Sequence, residues 1–297
     1  MSIADRFVAL IDRLTPTSAE AASYSTHLRT VTRAVESALE ISKTEQIGSF
    51  SRGTALRGIS DLDLMVVLTS NERRWGGANK KSSTVLNKVK EALSARFVST
   101  SIRNDRNAVV LSFAGGHRSV DVVPAFYVGP YVGPILQFKN YPIYAIPDGL
   151  GGWLETSPQA HRAALTAENE RCRGKLRRVA LLAKHWAACH PHLRVQSFYL
   201  EIVAACSDVC AGPTPYSQAL YGFFRDLSRR GGQGIRDPLK ISGVIPPTIR
   251  RATRDVTSAA AKNAAEHSAR ALTAEEAQNT PEAVRQWKII FNGQFPR

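Results

Sequence analysis

Apolar residues recur at helical spacing at the start of the chain and at strand spacing further on. Residues 3–14 and 18–39 each place apolar side chains three or four positions apart, and Pro16 separates the two segments. Both segments are therefore predicted to be helices. Residues 61–68, DLDLMVVL, are typical of a strand whose second half is buried on both faces. The run GSFSRGT between these patterns has the composition of a loop.

The middle of the chain is predicted to complete a sheet around that strand. A polar, basic helix is expected over residues 78–97. The runs NAVVLSF from Asn107 and SVDVVPAFYV from Ser119 then predict two strands. Gly115 and Gly116 lie between them, and a glycine pair at this place favours a hairpin.

The second half of the chain is predicted to be mainly helical. Proline and glycine crowd residues 129–158, which we interpret as the crossing between two domains. Helical spacing then covers residues 160–188, 195–210, 217–229, 253–277 and 281–290. The expected fold class is α/β in the α+β sense. An N-terminal lobe with a mixed sheet would span residues 1–157 and a helical lobe residues 158–297, with a cleft between them.

Composition indicates a globular protein with a sizeable core, since 43% of the 297 residues are hydrophobic. No stretch approaches the roughly 18 consecutive apolar residues of a membrane span, and the N-terminus lacks a signal-like basic head. We therefore expect a soluble, cytoplasmic protein without a membrane partner. The four cysteines form no CxxC pair and are expected to be reduced thiols. A zinc site is the alternative, with Cys206 and Cys210 on one helical face and His190 and His192 upstream.

The formal net charge of +14 and the pI near 10.0 indicate a polyanionic partner. Nucleic acid, a membrane surface and a nucleoside triphosphate all satisfy this condition. Solvated helix faces explain many of the basic residues equally well. The charge therefore does not choose among these partners.

Three aspartates carry the candidate chemistry. Asp61 and Asp63 lie two residues apart on a predicted strand and share one face of it, and Asp121 stands within another apolar strand. Converging carboxylates repel each other unless cations are bound, and hard oxygen ligands suit Mg²⁺ or Mn²⁺. Two such ions are the usual solution for nucleotidyl transfer. Ordinary caps and salt bridges are the alternative for either strand taken alone.

The loop before the first aspartate pair favours the catalytic interpretation. Gly48 allows a backbone to approach a phosphate closely, and the Ser49 hydroxyl can donate to it. Gly48-Ser49 followed by Asp61-x-Asp63, with a third aspartate on a later strand, resembles the polymerase-β nucleotidyltransferase superfamily. The run GSFSRGTALRGISDLDLMVVL is similar to the corresponding segment of 2′-5′ oligoadenylate synthases and of the bacterial cGAS/DncV-like nucleotidyltransferases (CD-NTases).

Later segments extend the resemblance over most of the chain, including AKHW at 183–186, SFYLE at 197–201 and the ending FNGQFP. The resemblance implies that Lys184 and Ser197 hold the donor triphosphate and that Phe198 stacks on a base. A solvated lysine, a helix-capping serine and a core phenylalanine are the plain alternatives. Trp153 and His161 stay open between lobe packing and a pocket wall.

The resemblance implies a two-metal enzyme that makes a cyclic oligonucleotide from ATP or other NTPs. In the bacterial family such a product activates a downstream effector during antiphage (CBASS) defence. A linear 2′-5′ oligoadenylate synthase is the enzymatic alternative, and a tRNA-end or poly(A) polymerase would share the carboxylates. A non-catalytic RNA-binding protein on the same scaffold would explain the charge, but it has no use for three clustered carboxylates. An activating RNA is a further candidate partner.

Overall fold

Two capped helices open the chain as the apolar pattern predicted. The computed structural model describes residues 1–69, 81–114, 118–135, 140–248 and 254–297. Helix α1 (Ile3–Leu14) begins with a capping box between Ser2 and Asp5. Helix α2 (Ser18–Ala38) begins with another between Thr17 and Glu20. Each box satisfies backbone donors that a helix start leaves free, which explains why these two boundaries are sharp.

A mixed sheet follows, which confirms the predicted fold class. Its strands are β1 (Ile41–Ile47), β2 (Leu62–Leu68), β3 (Ser101–Asp105), β4 (Ala108–Ser112), β5 (Val120–Pro130), β6 (Pro142–Pro147) and β7 (Trp153–Thr156). The order is β1-β2-β5-β4-β3, and β6 pairs with the second half of β5 and with β7. Only the β2–β5 pair is parallel among these described strands. Strands β4 and β5 pair antiparallel, while Gly115 and Gly116 lie outside the described residues.

Helices cover the sheet and build the rest of the molecule. They are α3 (Gly48–Arg52), α4 (Ser82–Arg96), α5 (Pro158–Arg171), α6 (Lys175–Ala188), α7 (Ser197–Cys206), α8 (Tyr216–Arg229), α9 (Arg254–Glu276) and α10 (Thr280–Ile290). A short 3₁₀ turn spans Pro191–Leu193, and the two-residue strands β8 (Ile235–Arg236) and β9 (Val244–Ile245) pair with each other. The polar helix expected over residues 78–97 corresponds to α4, and residues 70–80 lie outside the description.

Several local expectations were wrong. The GSFSRGT run begins as the short helix α3. The proline-rich stretch predicted as a crossing contains β6 and β7, where Pro142 and Pro147 occupy the two ends of β6 and leave the ladder between them intact. The helix expected over 160–188 is two helices, because Arg173 and Gly174 both have positive φ.

The zinc alternative also fails on geometry. Helix α7 ends at Cys206, so Cys210 does not share a helical face with it. The Cys210 side chain is buried. The two thiols therefore lack the placement that motivated the alternative.

The core divides into three main clusters. One face of the sheet packs against α2 and α4 through residues such as Val35, Leu64 and Val89. The other face carries a smaller cluster that includes Met65 and Val123. The third cluster joins the helices of the second half, and α1 contributes five side chains to it. The division at residue 157 stays a prediction.

No described helix combines the length and the apolar composition that crossing a membrane requires.

Candidate active site

Strands β2 and β5 bring Asp63 and Asp121 side by side. The two residues are Cα partners in the parallel register. Their neighbours Leu62 and Val120 alternate into the cluster against α2 and α4. Because side chains alternate along a strand, both aspartates project from the opposite face of the sheet. The parallel register of β2 and β5 therefore places these two carboxylates next to each other.

Asp61 lies just before β2 and is exposed. Its Oδ1 accepts a hydrogen bond from the Ser119 hydroxyl at 2.6 Å, and the Leu62 amide donates to the Ser119 carbonyl at 3.0 Å. These contacts tie the segment before β2 to the segment before β5. The Asp61 carboxylate is therefore held at the edge of the site next to the other two.

Burial and mutual repulsion raise the pKa values of the two inner carboxyls. Burial, followed by the Asp61 charge, raises the pKa of Asp63 to about 6, against the opposing attraction of Arg52 and Lys184. Burial and then the charges of Asp63 and Asp61 raise the pKa of Asp121 to about 7. Carboxylates clustered in this way favour protonation or a bound cation, because their negative charges repel one another.

Helix α3 lies directly over this pair. Gly48 starts it with φ +72°, and a Cβ built there would lie 1.8 Å from Asp63 Oδ2. Only glycine fits this position, because both the backbone conformation and the space exclude a side chain. Ser49, the next residue, is 8% exposed and lines the cavity that lies beside these carboxylates.

A buried charge network faces the carboxylates across the cavity. Lys184 on α6 is 3% exposed, and its Nζ donates to the Thr54 carbonyl at 2.6 Å and to Glu201 at 3.2 Å. Glu201 on α7 also accepts from Arg52 at 2.5 Å and from the Thr54 hydroxyl at 2.7 Å. Burial lowers the pKa of Lys184, although Glu201 opposes this effect. The alternative of a solvated Lys184 is therefore wrong.

Ser197 and Phe198 begin α7 at the cavity wall. Gln196 is the N-cap residue, so Ser197 is not the capping serine that the plain alternative required. The Phe198 ring is partly buried against the helical cluster and also lines the cavity. Trp153, in contrast, packs edge-on against Phe126 at 5.4 Å between ring centroids and lies outside the cavity lining.

One cavity of about 440 Å³ brings the predicted site residues together. All eight line it, namely Gly48, Ser49, Asp61, Asp63, Asp121, Lys184, Ser197 and Phe198. Sequence reasoning missed Arg52 and Arg194, which also line it, and Glu201 behind it. Arg52 and Glu201 lie inside the two runs that carried the resemblance, and their charges within those runs are the signal that points to them. Arg194 has no comparable signal.

The residues fit a divalent metal ion, although the described side chains form no preformed cage. Within the described ranges no three His, Cys, Asp or Glu side chains are grouped as ligands for a single ion. Asp61 instead faces Ser119. Asp121 Oδ1, however, is buried without a hydrogen-bond partner in the described structure. An unsatisfied carboxylate oxygen beside a second carboxylate is the donor set that Mg²⁺ or Mn²⁺ prefers.

The fold and this site together define a class. A mixed sheet carries adjacent aspartates on β2 and β5, a glycine-led helix covers them, and a buried lysine faces them from the helical half. This is the arrangement of a polymerase-β-like nucleotidyltransferase.

Comparison with known proteins identifies the family. Residues 1–169 match the SMODS model, the Second Messenger Oligonucleotide or Dinucleotide Synthetase domain. The chain therefore belongs to the SMODS family and is a bacterial CD-NTase. A probable cyclic nucleotide synthase of Bacillus cereus strain VD146 is 26% identical over 277 residues, covering 84% of this chain and 81% of that protein.

Two matches from Escherichia coli MS 115-1 add to this. Its cyclic AMP-AMP-AMP synthase is 28% identical over 188 residues, covering 61% of this chain and 54% of that protein. The structure of its CdnC with ATP superposes with a TM-score of 0.75 at 21% identity, covering 100% of this chain and 99% of that one. The resemblance drawn from the GSFSRGT run is confirmed, and the chain is a nucleotidyltransferase of the cyclic nucleotide synthase type.

Proposed function

We propose that this enzyme joins nucleoside triphosphates into a cyclic oligonucleotide at the cavity between β2, β5 and α6. The observation that carries the proposal is the register pairing of Asp63 with Asp121 opposite the buried Lys184. Carboxylates on one wall and cations on the other fit a substrate whose triphosphate bridges metal ions and protein.

Asp61, Asp63 and Asp121 would hold two Mg²⁺ or Mn²⁺ ions, with Asp61 turning from Ser119 toward its neighbours. Ions held there would supply the Lewis-acid chemistry that activates an attacking hydroxyl and stabilises the leaving pyrophosphate. Asp121 Oδ1 has no hydrogen-bond donor in the described structure, which makes it the oxygen placed to receive a cation or a proton.

Lys184 and Arg52 would bind the triphosphate. Both are charge-paired with Glu201, so the network carries one net positive charge before a ligand arrives. The Ser49 and Ser197 hydroxyls line the same cavity and can donate to phosphate oxygens. Phe198 would contact a base, since a ring at the cavity wall offers a stacking surface.

The product is proposed to be cyclic and to contain adenylate. The E. coli relative is named a cyclic AMP-AMP-AMP synthase, and the superposed CdnC structure was determined with ATP. ATP is therefore the first substrate to test. We further propose that the product activates an effector protein in antiphage (CBASS) defence, in keeping with the bacterial family.

The test is product analysis with all four NTPs and Mg²⁺ or Mn²⁺, followed by phosphatase treatment and mass spectrometry. We expect phosphatase-resistant cyclic material from the wild type. Asp61→Asn combined with Asp63→Asn should remove at least 99% of product formation, because losing metal ligands costs several kcal/mol of transition-state stabilisation.

The double variant should remain folded, since clustered like charges cost stability. Asp255→Asn, an exposed aspartate of α9 outside the cavity, is the matched control and should retain full activity. Wild-type turnover by a folded double variant would refute the site. A phosphatase-sensitive ladder would instead indicate the linear 2′-5′ synthase.

A further inference from the structure

His161 on α5 is a buried histidine whose two ring nitrogens both face oxygen acceptors. Nδ1 lies 3.0 Å from the Ser157 carbonyl, and Nε2 lies 3.0 Å from Asp237 Oδ2. The side chain is 4% exposed. The ring is therefore held at two points, and its plane is fixed.

Asp237 is itself locked in place. Its side chain is 0% exposed. The Leu239 amide donates to Oδ1 at 3.0 Å, and the Ile241 and Ser242 amides donate to Oδ2 at 3.1 and 2.8 Å. The turn between β8 and β9 thus wraps around the carboxylate. A carboxylate fixed by three backbone donors gives the histidine a rigid anchor.

The anchored histidine packs against one cavity residue. Its ring lies 5.2 Å from the Phe198 ring, centroid to centroid, at an interplanar angle of 84°. The Arg52 guanidinium carbon lies 5.0 Å from the Phe198 centroid. Phe198 lines the catalytic cavity and His161 does not. His161 therefore contacts a cavity residue through the ring of Phe198.

We propose that His161, anchored by Asp237, is a positioning residue that fixes the Phe198 ring for contact with the nucleotide base. The inference rests on the proposed function, in which Phe198 contacts a base. It predicts that His161 acts on base affinity alone, because the triphosphate contacts come from Arg52 and Lys184. A purely structural role would instead require only the His161–Asp237 hydrogen bond that joins α5 to the β8–β9 turn.

Two substitutions separate these roles. His161→Gln keeps a donor for Asp237 and removes the ring that contacts Phe198. His161→Phe keeps a ring and removes the donor. Positioning requires the ring, and a structural role requires the donor, so the two variants should show opposite losses.

The readouts are the affinities for the α,β-methylene analogue of ATP and for inorganic tripolyphosphate, both with Mg²⁺, together with urea unfolding. His161→Gln should weaken the analogue about two- to tenfold, the range that an aromatic pair contributes, and leave tripolyphosphate unchanged. His161→Phe should keep most of the analogue affinity and unfold at lower urea. His267→Gln, on α9 away from the cavity, should change neither affinity.

Phe198→Ala completes the design, because the effect of His161→Gln should disappear in that background. Equal losses for both ligands, or a loss in His161→Phe that matches His161→Gln, would overturn the positioning role. A loss in Phe198→Ala without one in His161→Gln would overturn positioning alone. Unchanged analogue affinity in Phe198→Ala would overturn both the base contact and the positioning, while the cyclic product would still be judged by its own assay.

Discussion

Asp121 combines burial with two like-charged neighbours, so its ionisation opposes folding. An unfolded aspartate titrates near pH 4, whereas the folded protein holds this proton up to a pKa of about 7. The folded state therefore binds more protons than the unfolded state between these values, and stability falls as the pH rises through this window. The sign is opposite to that of a salt-bridged aspartate.

We predict that Asp121→Asn stabilises the metal-free protein, with the gain over wild type growing from pH 4 to pH 7 and flat above. The gain should be on the order of a few kcal/mol at pH 8, because each unit of pKa shift corresponds to about 1.4 kcal/mol. Urea unfolding in EDTA at several pH values measures it.

Metal and a control variant test the cause of that gain. Mg²⁺ should shrink it, since a bound cation neutralises the repulsion that the asparagine removes. Asp255→Asn, an exposed aspartate of α9, should give no comparable pH-dependent gain. A constant difference between Asp121→Asn and wild type from pH 4 to pH 8 would contradict the electrostatic assignment.

At the scale of elements, the Glu201 network joins α3, α6 and α7. Burial alone would raise the pKa of Glu201, but the nearby Arg52 and Lys184 cations outweigh it and hold that pKa below its usual range. The carboxylate is 1% exposed and accepts hydrogen bonds from both cations and from Thr54. Removing its charge would leave Lys184 and Arg52 without the carboxylate that pairs with both of them.

We predict that Glu201→Gln lowers the unfolding free energy by about 3–5 kcal/mol, the usual cost of removing one partner of a buried ion pair. Tripolyphosphate should restore more stability to this variant than to the wild type, because an anion in the cavity replaces the missing charge. Thermal unfolding with and without tripolyphosphate measures both effects.

Glu282→Gln is a matched control, since Glu282 pairs with Arg285 on the exposed surface of α10. It should cost much less stability than Glu201→Gln, as exposed pairs do, and show no extra response to tripolyphosphate. An equal tripolyphosphate shift in Glu201→Gln and wild type would contradict the link between this network and the triphosphate.

Elements with strong local signals could be predicted from the sequence. The apolar runs of β2 and β5 located both strands, and capping boxes explain why the start of α1 was found to the residue. Strand β1, ISKTEQI, was missed because it has no buried residue and no apolar alternation. Strand β6 was missed because prolines are typical of breaks in secondary structure, and Pro142 and Pro147 lie at its two ends.

The candidate site likewise contains residues that the sequence could predict and residues that it could not. The aspartates and Gly48 could be predicted because each breaks a local pattern or stands within a dense motif. The pairing of Arg52 with Glu201 could not, since the two residues are 149 positions apart and only tertiary packing brings them together. The spacing of charged residues along the chain does not predict such a long-range contact.

At the scale of the whole molecule, the net charge is +14, whereas three cationic side chains, Arg52, Lys184 and Arg194, line the cavity. None of the basic residues from 162 to 178 lines the cavity. Arg171 pairs with Glu168 and Asp208, and Lys175 donates to two backbone carbonyls. Arg173 and Arg178 are exposed near them. This basic surface around α5 and α6 is therefore available to a polyanion other than the substrate.

We predict that the basic surface binds single-stranded RNA in a salt-dependent manner and that bound RNA raises the rate of synthesis. Log affinity should fall by about 0.7 per log unit of salt for each phosphate neutralised. Arg173→Glu with Arg178→Glu should reduce that slope by about one to two units, because each lost arginine removes a phosphate contact. Lys262→Glu with Lys288→Glu, on α9 and α10, changes the net charge equally and should leave the slope near that of wild type.

RNA can accelerate synthesis only if it binds the catalytically competent state better than the idle one. Equal slopes in the two double variants would place RNA elsewhere, and identical synthesis rates with and without RNA at low and moderate salt would contradict its regulatory role.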